Sequence, residues 1–405
     1  MVTRTVNVKP FGPCEPESPT SRRLNLPFDV VALALQGGGA LGSYQAGVVE
    51  GLAEAGIEPD WVAGISIGAI NSAIIAGNPA ETRVERLREF WETICRPAYF
   101  VPPADAIQAM LEKSPPTIRR AFASFEAWRA ILEGQKDFFT PRGMAPWLAM
   151  RQSPTEASFY DTTKLRSTLE TFADFDRINA GEMRVSVGAV NVRTGNFEFF
   201  DNQHGRTRQQ MRPEHFMASG ALPPGFPAIE IDGEFYWDGG LVSNTPLGHI
   251  VGSTPRRDTL AFQVDLWSAV GVVPENVYDV QERLKDIQFS SRTRAITDLM
   301  ARTQEHRRML HQLLDQIPAE VRKNDPWCKR AAESACDKSF SVVHLIYQDK
   351  EWEGLSKDYE FSLLTMRDHW AAGLNDIRQS LKHPSWRTLP KDGQGFATYD
   401  HHRHA

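Results

Sequence analysis

Gly64-Ile65-Ser66-Ile67-Gly68 sets a serine between two glycines, each two residues away. A serine hydroxyl at its own pKa is a poor nucleophile. It needs an adjacent base, and it needs hydrogen-bond donors for the oxyanion that its attack creates. Small neighbours permit a tight turn from strand to helix, which lifts the hydroxyl clear of a sheet and places a helix N-terminus behind it. The flanks suit that context: Asp60-Trp61-Val62-Ala63 is a short apolar approach, and the run from Ala69 to Ala76 is a plausible buried helix. Upstream, Gly37-Gly38-Gly39-Ala40-Leu41-Gly42 offers successive backbone N–H groups unshielded by side chains, a surface for an anion. Downstream, Asp238-Gly239-Gly240 ends an apolar strand, where a desolvated carboxylate has a raised pKa and gains proton affinity. The two glycines after it leave room for the serine and a substrate.

The elements that must position these residues follow a strand, glycine loop, helix, strand, serine turn, helix order. Val30 to Leu35 reads as a buried strand, Tyr44 to Ala55 as a helix stopped by Gly56, and the serine follows the second strand. This order predicts an α/β fold with parallel strands at its heart. Strands recur at Val185 to Val192, at Asn196 to Asp201, on both sides of the Asp232-Gly233 turn, and at Leu260 to Leu266. Residues 81–175, rich in aromatics and broken by Pro102-Pro103 and Pro115-Pro116, read either as helices covering the sheet or as an apolar cap. Beyond residue 272 come a long Arg-bearing helix from Val277 to Leu314, a strand from Val342 to Tyr347, and a final helix that keeps Trp370, Leu374, Ile377 and Leu381 on one face.

Three other chemistries compete for these residues. Gly37 to Gly42 also satisfies G-x-G-x-x-G, but Glu58 and Asp60 precede the second strand, so neither reaches a nucleotide ribose from its carboxyl end. A Ser-His-Asp triad has His249 formally available after Asp238. That histidine follows Pro246-Leu247-Gly248 at an expected helix start and reads as a surface or packing residue. His401, His402 and His404 lie in a polar tail without a carboxylate or cysteine partner, so no metal site is expected. No calcium loop pattern occurs, and neither calcium nor any cofactor is expected to be required.

Taken together, the glycine loop, the Gly64 to Gly68 turn, the Ala218-Ser219 to Phe226-Pro227 block and Asp238-Gly239-Gly240 with its continuation to Leu247 resemble the patatin-like phospholipases over residues 28–268. The resemblance implies a three-layer α/β fold, mainly parallel in its central sheet, with helices on both faces and a mostly helical C-terminal extension. It implies a Ser-Asp dyad hydrolysing lipid acyl esters, with Ser66 as nucleophile, Asp238 as base, and the Gly37, Gly38 and Gly39 amides as oxyanion hole. Gly42, Gly64, Gly68, Gly239 and Gly240 support those motifs. Family members often carry Lys or Arg in the loop where this chain has Leu41. A third reading is a regulatory protein on the same fold with weak activity, its Arg-bearing extension serving partners.

The expected organisation is an arm over 1–27, a hydrolase domain over 28–271 with a cap-like segment at 81–175, an extension over 272–390 and a tail over 391–405. A net charge of −6 argues against nucleic acid as partner. Cys14, Cys95, Cys328 and Cys336 show no C-x-x-C spacing and read as reduced thiols. Residues 1–27 carry no apolar signal core and no run approaches 18 apolar residues, so a cytoplasmic protein is expected. Peripheral contact at the inner membrane face would run through the aromatics between Tyr99 and Trp147, with Arg119, Arg120 and Arg129 facing anionic lipid.

Overall fold

The computed structural model describes residues 24–96, 110–111, 114–143, 152–203, 210–391 and 394–400, and for 291–295 the backbone alone. Cys14, Tyr99, Phe100, Trp147 and the tail histidines lie outside these residues. The chain opens with β1 (Val30–Leu35), α1 (Gly42–Glu54), β2 (Trp61–Gly64), α2 (Ile67–Ala76) and α3 (Ala80–Cys95). Next come α4 (Pro116–Glu133), a two-residue ribbon of β3 (Thr140–Pro141) and β4 (Tyr160–Asp161), α5 (Thr163–Phe172) and α6 (Phe175–Ala180). The middle carries β5 (Arg184–Asn191), β6 (Phe197–Asp201), α7 (Pro213–Ser219), β7 (Ile229–Ile231), β8 (Glu234–Asp238), α8 (Leu247–Gly252) and β9 (Thr259–Asp265). The last third supplies α9 (Val277–Asp315), α10 (Ala319–Asn324), α11 (Pro326–Ser334), β10 (Phe340–Ile346), α12 (Leu363–Lys382) and β11 (Phe396–Tyr399).

Among the described residues nine strands form one sheet in the order β11-β10-β9-β1-β2-β5-β8-β7, with β6 on the remaining edge of β5. The five strands from β11 to β2 run parallel, and β2 pairs β5 in parallel as well. A parallel strand needs helices on both faces, and the side-chain alternation of β1 delivers it. Leu33 and Leu35 join the core under α1, α2 and α3, whereas Ala32 and Ala34 join a second core with Leu247, Ile250 and Val251 of α8 and Met300 of α9. The architecture is the expected three-layer α/β fold.

The last third is built into this architecture. Its strands β10 and β11 extend the parallel sheet beyond β9, and its helix α12 lies against α1. A side chain on Gly47 of α1 would meet the Trp370 carbonyl oxygen at 2.0 Å, and one on Gly373 of α12 the Tyr44 carbonyl oxygen at 2.0 Å. The two helices therefore touch backbone to backbone. Cys95, Cys328 and Cys336 are free thiols.

Candidate active site

Two strands of opposite direction meet on one edge of β5, and that meeting assembles the site. Strand β2 runs along the edge as far as Gly64, opposite Val187. Strand β6 occupies the other edge from Ser186 to Val190, so β8, which pairs Asp238 with Ala189, continues the edge that β2 leaves. Ser66 follows the end of β2, Asp238 is the end of β8, and Gly188 lies between them. Sequence separation is thereby converted into contact.

The turn after β2 holds Ser66 at φ 54° and ψ −123°, a left-handed φ that a residue with a side chain adopts at a cost of about 1–3 kcal/mol. The surroundings fix it there. The Ser66 N–H donates to Ser219 Oγ at 3.0 Å, and Ser219 Oγ donates to the Gly188 carbonyl at 2.6 Å. A Cβ on Gly64 would sit 2.2 Å from the Gly68 oxygen, and one on Gly68 2.4 Å from the Leu35 oxygen. Glycine is required at both by close backbone approach. Gly42 packs on the Ile67 side chain, and Gly239 on the Gly188 carbonyl.

Asp238 is 2% exposed, and the Ser66 hydroxyl is near enough to lower its pKa. Its Oδ1 accepts the Gly240 N–H at 2.7 Å. Burial pushes the carboxyl pKa up to about 7, and the nearby Ser66 hydroxyl and the Gly240 N–H draw it back only in part. Such a group exchanges a proton near neutrality.

The glycine loop faces the serine: a Cβ on Gly37 would lie 2.9 Å from the Ser66 Cβ. The Gly37 amide, however, donates to the Asn244 carbonyl at 3.3 Å. The Gly37 carbonyl in turn accepts Asn244 Nδ2 at 3.1 Å and Trp267 Nε1 at 2.8 Å. Gly37 is thus an anchor of the loop, and the expectation of three open amides narrows to those of Gly38 and Gly39, which meet no acceptor among the described residues. Gly39 takes φ 56°, and Gly240 sits beside Asn244 Oδ1 and Asp238 Oδ1.

A cavity of about 350 Å³ opens on Ser66, Asp238 and the glycine loop. Its far wall is a cluster of Phe138, Phe139, Tyr160, Phe226 and Phe361, with ring centroids 5.0–6.2 Å apart. Ser219 and Asn244 fell within quoted motifs, yet nothing in their types announced that they hold the turn and the loop. Trp267, Asp358 and Phe361 gave no motif at all.

His249 stands elsewhere. It stacks on Phe199 at 3.9 Å, and its Nε2 lies 3.4 Å from Asp201 Oδ2. Asp201 also binds Arg184, at the residue paired with Trp61, where β2 begins, so this network lies at the opposite end of the strand from Ser66. The His249, Arg184 and Ser186 bonds hold the Asp201 carboxyl well below the usual range despite burial. His249→Ala is expected to leave esterase turnover within about threefold while lowering the melting temperature. A collapse of turnover in a variant that remains folded would restore histidine to the chemistry.

Among the described residues no group of three or more His, Cys, Asp or Glu is arranged to hold a metal ion. No described helix is long and apolar enough to cross a membrane. The α4 arginines are engaged within the protein: Arg119 binds Asp368 and covers the Trp352 ring, Arg120 lies 3.9 Å from Asp279, and Arg129 binds Glu126. The same helix exposes Ile118, Phe125, Trp128 and Leu132.

Sequence comparison accords with this geometry. The profile of the patatin-like phospholipase family matches residues 33–250, more than half of the chain, and a second profile, described as patatin phospholipase, matches residues 287–393. No curated protein sequence matches. Solved structures similar to the chain include VipD from Legionella pneumophila, 14% identical with a TM-score of 0.31, covering 84% of this chain and 66% of that one. Human GIVD cytosolic phospholipase A2 is 13% identical with a TM-score of 0.31, covering 87% of this chain and 60% of that one. This chain thus spans less than two thirds of the length of either, and at these scores neither likeness bears on function.

Proposed function

The chain belongs to the patatin-like phospholipase family, and from that premise we propose that it is a serine acyl hydrolase acting on lipid carboxylic esters through Ser66 and Asp238. One observation carries the reading: Ser66 and the buried Asp238, its pKa raised to about 7, line one apolar cavity together. Asp238 accepts the hydroxyl proton as Ser66 Oγ attacks the ester carbonyl. The resulting oxyanion takes hydrogen bonds from the Gly38 and Gly39 amides. Collapse of the tetrahedral adduct breaks the bond to the alcohol, which leaves with the proton from Asp238. Water then attacks the acyl-serine, Asp238 takes its proton, and the second collapse releases the fatty acid and returns the proton to Ser66. The aromatic wall favours an acyl chain over a polar substituent.

A fluorophosphonate probe tests the nucleophile directly. Labelling is expected on Ser66 by peptide mass spectrometry and is expected to vanish in Ser66→Ala; labelling of another serine, unchanged in that variant, would refute the assignment. A panel of phospholipid, lysophospholipid and triacylglycerol esters then reads the specificity.

The reading includes attachment to a lipid surface through α4. Ala130 and Ile131 of this helix line the cavity while Phe125, Trp128 and Leu132 face outward beside it. Apolar insertion contributes about 1.5–3 kcal/mol per large side chain, and the internally paired arginines add little. Phe125→Ser/Trp128→Ser is therefore expected to slow hydrolysis in vesicles by about tenfold or more and leave a monomeric short-chain ester within about twofold. Vesicle binding that disappears at high salt would replace apolar insertion with an electrostatic mode.

A further inference from the structure

We propose that Lys357 is a positioning residue of the active site, bracing both ends of the glycine loop from the last third of the chain. The inference rests on the serine-hydrolase reading above and concerns what holds the loop in its working shape.

The Gly39 end of the loop is set by a single backbone atom. The Ala40 N–H donates to the Asp358 carbonyl at 2.8 Å, and a side chain on Gly39 would collide with that same oxygen at 2.0 Å. Wherever the Asp358 carbonyl moves, the Gly39–Ala40 peptide moves with it. The Gly37 end is held by Asn244 and by the Trp267 indole, whose Nε1 donates to the Gly37 carbonyl at 2.8 Å.

Lys357 connects the two. Its backbone immediately precedes Asp358, and its Nζ lies 5.2 Å from the centre of the Trp267 ring. The side chain is 1% exposed, and its ammonium is held between Asp286 Oδ1 at 2.8 Å and Asp349 Oδ2 at 2.7 Å. The neighbouring Lys285 of α9 binds the Asp358 carboxylate at 2.6 Å and the Leu355 carbonyl at 3.1 Å. Consecutive residues of α9 therefore clamp consecutive residues of the 357–358 turn. A buried ammonium beside a buried carboxylate resists displacement, because separating Lys357 from Asp286 strands both charges out of water, while Asp349 closes the pair from its more exposed side. Lys357 itself does not line the cavity; Asp358, Tyr359 and Phe361 do. Its effect on catalysis is through geometry, which calls for oxyanion donors held to a few tenths of an ångström.

Removing Lys357 alone would leave Asp286 and Asp349 facing each other and could unfold the protein. The decisive variant is the charge-neutral Asp286→Asn/Asp349→Asn/Lys357→Met, with Lys357→Arg as the conservative comparison. Both are assayed on a p-nitrophenyl ester beside the wild type and Ser66→Ala, with melting curves on each. The expected result is a folded triple variant whose kcat falls about tenfold or more at nearly unchanged KM. Its fluorophosphonate labelling of Ser66 should slow in parallel, and Lys357→Arg should recover most of the loss. Turnover within about twofold of wild type overturns the proposal. So does a loss that only tracks the unfolded fraction and disappears on cooling, since that is a purely structural role. Ser66→Ala separates the two levels: if it is inactive while the triple variant keeps its kcat, only the positioning inference fails. If Ser66→Ala stays active, the hydrolase reading fails first.

Discussion

Ser66→Ala and Asp238→Asn are each expected to lower esterase turnover by about 10³-fold or more without disturbing the fold. The serine supplies the atom that bonds to the acyl group, and it stands on a strained turn beside a buried carboxylate. Asparagine at 238 keeps the shape and still accepts the Gly240 N–H, but it takes no proton. The two losses are not additive, because both residues serve one proton transfer; the double variant should be as inactive as either single one. Turnover on a soluble chromogenic ester, with circular dichroism of each variant, checks the pair. Near-wild-type turnover in Asp238→Asn would remove the aspartate from the mechanism.

The second large effect is on pH dependence. Asp238 acts as a base only when ionised, and its pKa is about 7. The ratio kcat/KM should therefore fall about tenfold per pH unit below 7, reaching about a hundredfold at pH 5, and level off above 8. Stability should move the other way. The folded carboxyl holds its proton up to about pH 7, whereas the unfolded one releases it near the ordinary value of 3.8. Between those values the native state binds more protons, so rising pH reduces stability, by about 4 kcal/mol once pH exceeds 7. Asp238→Asn lacks this cost. Its advantage over wild type in denaturant unfolding should be small at pH 4 and widen to pH 8. A constant gap across that range, or a rate limb centred near pH 4, would mean that the carboxylate is solvated.

The nucleophile turn was legible because its determinants are local. Glycines two residues to either side of Ser66 are required by contacts within the turn and with the adjacent strand β1, and each can be read as a small-residue constraint. Asp238 was legible as the end of a strand in a recognisable motif. Its meeting with Ser66 was not, because the shared edge of β5 depends on where β2 stops, which no residue of β8 encodes. The glycine loop was read as three equivalent amides, and only the partner of Gly37, the Asn244 carbonyl, distinguishes it from the other two. For Arg119 and Arg120 of α4, sequence gives charge but not the distant acids that take it: Asp368 and Asp279 lie far along the chain. The last third read as an extension because α9 dominates its pattern. The strand from Val342 was visible, yet an apolar run does not name the sheet it will join.

The position of β1 has a consequence for the newly made chain. Its first neighbour, β2, follows within a few tens of residues, but its second, β9, is synthesised roughly 230 residues later. At about 5–20 residues per second a ribosome exposes the open edge of Val30–Leu35 for about 10–50 s. An apolar strand with an unpaired edge is a template for aggregation, so a holding chaperone would find its target there. The same delay governs activity. The Gly39–Ala40 peptide meets its carbonyl partner only when Asp358 has emerged, about 320 residues later. A chain truncated before Asp358 would carry Ser66 and Asp238 without the carbonyl that holds the Gly39–Ala40 peptide.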